Sequence, residues 1–165
     1  MSNIIKLPQR AWFDDTELTI DLPENWEVAV HGIPADEKKV LSSVELISAM
    51  ADPTGCPPLR ELARERSEVA IIFDDISRPT PTAELIPLIL HELSRAGIKD
   101  GQIRFICALG AHGAHTRLDF AKKLGPEVLR RFPVYNHNPY ENCSSVGATS
   151  RSTEVMVTND VLKCD

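Results

Sequence analysis

Two short stretches hold most of the side chains that could do chemistry. The first, Asp74-Asp75-Ile76-Ser77-Arg78-Pro79-Thr80-Pro81, sets two carboxylates, two hydroxyls and a guanidinium inside eight residues, and its prolines restrict how they move. An arginine fork grips phosphate in two places at once, and short hydroxyl or carboxylate side chains reach a ribose. The same residues also support a scaffold reading, in which Asp75 and Arg78 form an ion pair that fixes the turn while Thr80 caps the next helix. Local chemistry leaves both open. The second stretch, Ala108-Leu109-Gly110-Ala111-His112-Gly113-Ala114-His115-Thr116, combines glycines with two histidines. Small residues let a ligand approach the backbone, and an imidazole is the natural proton carrier near neutral pH, so His112 is a candidate acid/base residue.

Other candidates are weaker. His112 and His115 are spaced so that they could share one side of a helical turn and bind a metal, but no carboxylate or third histidine lies beside them, and no metal ligand is assigned. His31 follows a strand and His91 sits on the polar side of a helix, which predicts solvent exposure for both. His137 follows a strand and is compatible with a structural or a catalytic role. Cys56, Cys107, Cys143 and Cys164 form no C-x-x-C pair, which removes zinc knuckles and thioredoxin-like motifs, and Cys107 reads as a core residue. Neither a G-x-x-x-x-G-K run nor G-x-G-x-x-G is present, so ordinary ATP or dinucleotide binding is disfavoured.

The elements that must position these loops follow from periodicity. Val69 to Phe73 is a continuous apolar run of the kind found in a strand buried on both faces, and Ile103 to Leu109 reads as the next strand. Between them Leu85, Ile86, Ile89, Leu90, Leu93 and Ala96 trace an apolar stripe ending at Gly97, with Pro81 in the first turn and Pro87 bending the helix. Thr116 caps a helix that ends at Leu124-Gly125, a short helix covers Pro126 to Arg131, a strand is expected at Phe132 to Tyr135, and an apolar segment runs from Glu154 to Val157. Upstream, Ile4–Leu7, Glu17–Asp21 and Trp26–Val30 predict an antiparallel meander, Ser43–Ala51 a helix, and Pro58–Arg64 a second one. Strand, helix and strand in this order make a parallel crossover unit, so the expected fold is α/β: a Rossmann-like, mostly parallel sheet flanked by helices, with a small antiparallel N-terminal strand region. Ligands of such sheets bind beyond the carboxyl ends of the strands, where both loops fall.

A chain of 165 residues with 42% apolar residues builds one core, so residues 1–165 are expected to form a single α/β domain. The net charge of −6 argues against a nucleic-acid partner and favours a small-molecule site. The N-terminus lacks a basic segment followed by a long apolar one, and no run of eighteen apolar residues occurs, which predicts a cytoplasmic protein with no membrane partner.

Taken together, Phe73-Asp74-Asp75-Ile76-Ser77-Arg78-Pro79-Thr80-Pro81, Ala108-Leu109-Gly110-Ala111-His112, Lys123-Leu124-Gly125 and Val134-Tyr135-Asn136-His137 resemble, in order, the N-terminal domain of the lactate racemase family, whose enzymes use a nickel-pincer nucleotide. The resemblance implies that Asp75, Ile76, Ser77 and Arg78 bind that cofactor and that His112 is one of two acid/base residues. It implies removal of a proton and a hydride from a 2-hydroxy acid substrate, with hydride returned to the opposite face. This chain departs from the family pattern at Gly113 and Ala114, where an Arg-Pro pair is usual, which puts a substrate-side contact in doubt. The resemblance also implies a C-terminal partner portion, beyond Asp165, carrying the second catalytic histidine, the lysine that tethers the cofactor and a nickel-ligating histidine. On that reading the chain is the N-terminal part of a larger racemase, inactive alone and without a tightly bound cofactor. The competing expectation is a non-catalytic module that binds a nucleotide or sugar phosphate through Asp75–Arg78.

Overall fold

The computed structural model describes residues 3–8, 16–32 and 38–165. Its centre is a parallel sheet of three strands in the order β3 (Val69–Phe73), β4 (Ile103–Cys107), β5 (Val134–Asn136). Helix α3 (Thr82–Arg95) connects the first two strands, and α4 (Arg117–Leu124) with α5 (Pro126–Arg131) connect the second pair. The expected α/β architecture is therefore present, with helices packed on the sheet.

Alternation along the strands decides which face meets the helices. Phe73, Ile103, Phe105 and Cys107 point into one cluster with Ile86 and Leu93 of α3, Phe120 and Leu124 of α4, and Val128 of α5. Phe105 is fully buried and meets Phe73 edge-on at 6.5 Å and Phe132 at 5.4 Å between ring centroids. The opposite face carries the row Ile72, Ile106, Tyr135 in register across the three strands, and Ile72 remains 55% exposed there.

Register also fixes the functional end of the sheet. Phe73, Cys107 and Asn136 pair in one row, so the segments beginning at Asp74, Ala108 and His137 leave the sheet side by side. The Ala108 N–H still donates to Phe73 O, and the His137 N–H to Cys107 O, which continues the ladder one step into the loops.

Helices α1 (Ser43–Ala51), α4 and α5 fall where periodicity puts them. Ser42 and Glu45 close a capping box on α1, and Thr116 and Asp119 close one on α4. Several expectations need correction. β1 (Asn3–Pro8) and β2 (Glu17–Leu22) pair antiparallel, but Trp26–Val30 adds no third strand: the Trp26 N–H closes a turn on Pro23 O, and Trp26 and Val30 stay exposed with no partner strand among the described residues. The second helix is only Leu59–Leu62, labelled α2, and then breaks into turns, with Glu65 in the left-handed region at φ 62°. Thr80 does not cap α3, because its hydroxyl bonds Asp74 instead and Pro81 occupies the cap position. Pro87 lies inside α3, as expected. A strand absent from the sequence reading, β6 (Cys143–Ala148), pairs antiparallel with β7 (Glu154–Thr158) ahead of the short α6 (Asn159–Leu162). No helix among the described residues is long and apolar enough to cross a membrane.

Phe105→Ala should cost about 3–5 kcal/mol, the usual range for emptying an aromatic site in a core. Equilibrium urea unfolding checks this, with a shifted midpoint at an unchanged slope as the expected result.

Candidate active site

The chain after β3 turns sharply because Asp75 makes two local bonds at once. Its carboxylate accepts the Ser77 N–H at 2.7 Å, and its carbonyl accepts the Arg78 N–H at 3.1 Å, so an Asx-turn and a β-turn coincide. The loop is then anchored from below by Lys123. This ammonium, with a side-chain exposure of 0%, contacts Asp74 Oδ1 at 2.9 Å and donates to the carbonyls of Arg78 at 2.9 Å and Thr80 at 3.1 Å. Three oxygens matched to the three protons are what make a buried ammonium tolerable. Burial pushes the Asp74 carboxyl up, but hydrogen bonds from Thr80 and Lys123, with the Lys123 charge, outweigh it and hold the group below its ordinary range.

The second loop is shaped by Gly110, at φ 57°, within a turn closed by the His112 N–H on Leu109 O at 3.0 Å. A side chain at position 110 would meet no atom, so the demand for glycine is one of backbone conformation alone. The turn sends the His112 ring towards the first loop, where Nδ1 lies 2.7 Å from Asp75 Oδ2.

The two loops are thus joined through side chains 37 positions apart. Burial alone would raise the Asp75 carboxyl, yet bonds from Ser77 and His112 bring it down to about 2, so it is an anion at neutral pH. An ionised carboxylate only accepts hydrogen bonds, so Nδ1 of His112 must carry the proton and donate. With its side chain 54% exposed, His112 is left with Nε2 as the nitrogen available for chemistry, while its partner Asp75 is 5% exposed. A buried carboxylate that fixes the tautomer and direction of a solvent-facing imidazole is an arrangement suited to general acid/base work.

His115 has a different task. Its Nε2 accepts the Ile76 N–H at 3.1 Å, and its backbone is clamped by the Asn136 amide, which accepts from His115 N at 3.0 Å and donates to His115 O at 2.9 Å. The two histidines therefore do not act as a pair. Among the described residues no three His, Cys, Asp or Glu side chains are grouped to hold a metal ion. His31 and His91 are exposed, and His137 is half-buried beside the row that ends β5. Cys107 lies behind the site with no exposed surface, and burial, helped by the Asp75 charge, pushes its thiol up to about 12.

The four residues of the first loop divide by role. Asp75 and the Ile76 N–H spend their polar groups holding the second loop, whereas Ser77 and Arg78 are exposed. The Asp75–Arg78 ion pair of the scaffold reading does not form, because His112 takes the carboxylate instead. Sequence reasoning missed Lys123 as a site residue, although its place between Phe120 and Leu124 on the buried stripe of α4 was a usable signal. Asn136 was missed too, and nothing in its local sequence announces the clamp.

Lys123→Met should cost about 2–4 kcal/mol in urea unfolding, below the full value for a broken buried pair because Asp74 keeps a third of its side chain in solvent. Asp75 sets an acid limit with a definite sign. Its folded value of about 2 lies below the ordinary 3.8, so its contribution, roughly 2 kcal/mol, is complete above pH 4 and lost as pH falls towards 2. Asp75→Asn should flatten stability against pH in that window, and an unchanged acid slope would contradict the assignment.

Residues 13–165 match the family model of the lactate racemase N-terminal domain. The chain is 25% identical over 157 residues to the lactate racemase of Thermoanaerobacterium thermosaccharolyticum, a match covering 93% of this chain and 37% of that protein. It is 28% identical over 136 residues to the lactate racemase of Lactiplantibacillus plantarum, covering 81% of this chain and 32% of that one. The chain thus spans about a third of the length of these curated relatives. The solved structure of the lactate racemase apoprotein from T. thermosaccharolyticum superposes with a TM-score of 0.71 at 22% identity, over 98% of this chain and 37% of that one, and shares the fold. With its sequence matched from residue 13 to its last residue, the chain belongs to the lactate racemase N-terminal domain family.

Proposed function

We propose that this domain forms the cofactor-side half of a 2-hydroxyacid racemase active site, with His112 as one of its acid/base residues and the Asp75–Arg78 loop as its contact with a nickel-pincer nucleotide. The observation that carries the reading is the Asp75–His112 hydrogen bond, which joins the two loops and leaves Nε2 of the imidazole outward.

The loop suits the nucleotide end of such a cofactor. Arg78 is exposed, forms no ion pair among the described residues, and sits in a turn held rigidly by Asp75 and Lys123, so its guanidinium is available to a phosphate. On the family resemblance, the nickel-ligating histidine would be supplied by the remaining portion of the enzyme. When bound, the cofactor supplies a ring able to accept and return hydride.

The work of this chain is proton handling and positioning. Nε2 of His112 takes the hydroxyl proton of one enantiomer and gives a proton back when that enantiomer is the product, and the Asp75 carboxylate stabilises the imidazolium formed meanwhile. Ionised Asp75 keeps Nδ1 protonated throughout, so the reactive nitrogen does not change between the two half-reactions. A 2-hydroxy acid, lactate first, is the substrate class proposed. The cytoplasm is the proposed location.

The test uses cofactor-loaded protein in which this domain is joined to the remaining portion of the enzyme, assayed with D- and L-2-hydroxy acids. His112→Ala should lower turnover by about a hundredfold or more. Asp75→Asn should lower it by about ten- to a hundredfold through loss of orientation. Full turnover in His112→Ala removes the acid/base role. Nucleotide binding that falls in Arg78→Gln without any racemisation would make the domain a binding module instead.

A further inference from the structure

A second charged cluster lies away from the two loops. Arg60 and Glu61 of α2, Arg64 in the turn after it, and Arg95 in the last turn of α3 line one open cleft of about 230 Å³. The chain as a whole carries a net charge of −6, so three guanidiniums around one small cleft run against its average. Three other arginines are paired with carboxylates: Arg104 with Glu68, Arg130 with Glu127 and Arg131 with Asp100. None of Arg60, Arg64 and Arg95 forms an ion pair or a side-chain hydrogen bond among the described residues, even though Glu61 shares the cleft.

Like charges gathered around one cleft repel, and an anion between them relieves the repulsion. With one carboxylate against three guanidiniums, the excess charge matches a dianion better than a single carboxylate. Planar guanidiniums bind the tetrahedral oxygens of phosphate in paired N–H contacts. We infer that the Arg60–Arg64–Arg95 cleft is a binding site for a phosphate dianion, either inorganic phosphate or the phosphate of a small monoester. This site is separate from the loop that carries Arg78. Helix α3 begins at Thr82, whose hydroxyl reaches Asp74, and ends at Arg95, so its 14 residues set the two sites about 20 Å apart. The inference does not depend on the proposed racemase chemistry.

An NMR titration of the isotope-labelled chain with sodium phosphate, at ionic strength held constant by sodium chloride, tests it. The expected result is saturable shifts of the backbone amides and arginine side-chain signals of Arg60, Arg64 and Arg95. In Arg64→Gln/Arg95→Gln the affinity should fall at least about tenfold, since each charge-assisted contact is worth that much. Each single substitution should weaken it measurably, and these decide the matter if the double variant is not folded by circular dichroism. Arg78→Gln should leave the response of this cleft unchanged. A parallel titration with glycerol phosphate separates the two sources: tighter binding than inorganic phosphate points to a monoester, and equal or weaker binding to the free ion. Shifts that do not saturate, that chloride reproduces, or that are confined to Asp75–Arg78 would overturn the assignment.

Discussion

The arrangement of the site rests on one buried ammonium. Removing a lysine head group from water is costly, and Lys123 is tolerated only because the Asp74 carboxylate and two loop carbonyls surround it. The dependence runs both ways: the loop supplies the oxygens that make the burial possible, and the ammonium gives the loop a single place to sit. Because Lys123 lies on α4, the helix that follows the histidine loop, the same contact ties the two strand tips to a common support. The apolar cluster around Phe105 holds helix and sheet together, but it is the polar anchor that sets the height of Arg78 above the sheet.

On that support Asp75 serves two purposes with one carboxylate. One oxygen closes its own turn through Ser77, and the other directs His112. The shape of one loop and the chemistry of the other are therefore coupled through one side chain. The His115 ring, accepting from the Ile76 N–H and held in place by Asn136, adds a second tie between the loops that leaves the His112 ring uninvolved. The division of labour between two histidines three residues apart follows from what each meets: one a buried anion, the other a backbone N–H.

What the sequence disclosed about this design depended on how local the cause was. Helices α1 and α4 have their capping boxes written within a dozen residues, and β3 announces itself as an apolar run. Thr80 misled because its hydroxyl had two local uses, and the carboxylate of Asp74 prevailed over the helix cap. Trp26–Val30 has the composition of a strand but no neighbouring edge to pair with, whereas β6, with Ser144, Ser145 and Gly147, has weak strand composition but a partner in β7. For the site, Asp75 and His112 were both marked as candidates, yet their contact was not legible, since it joins residues far apart in the chain. Sequence proximity offered Arg78 as the partner of Asp75. The fold chose otherwise.

The enclosure of Lys123 also makes it a reporter. Reagents that acylate amines reach the other lysines from solvent, but this one has no exposed side-chain surface. Its acylation rate is then governed by how often the Asp74–Thr80 segment lifts from α4, and a molecule that settles on that segment would slow the reaction without touching the amine. One nitrogen thus converts the breathing of the loop into a chemical rate.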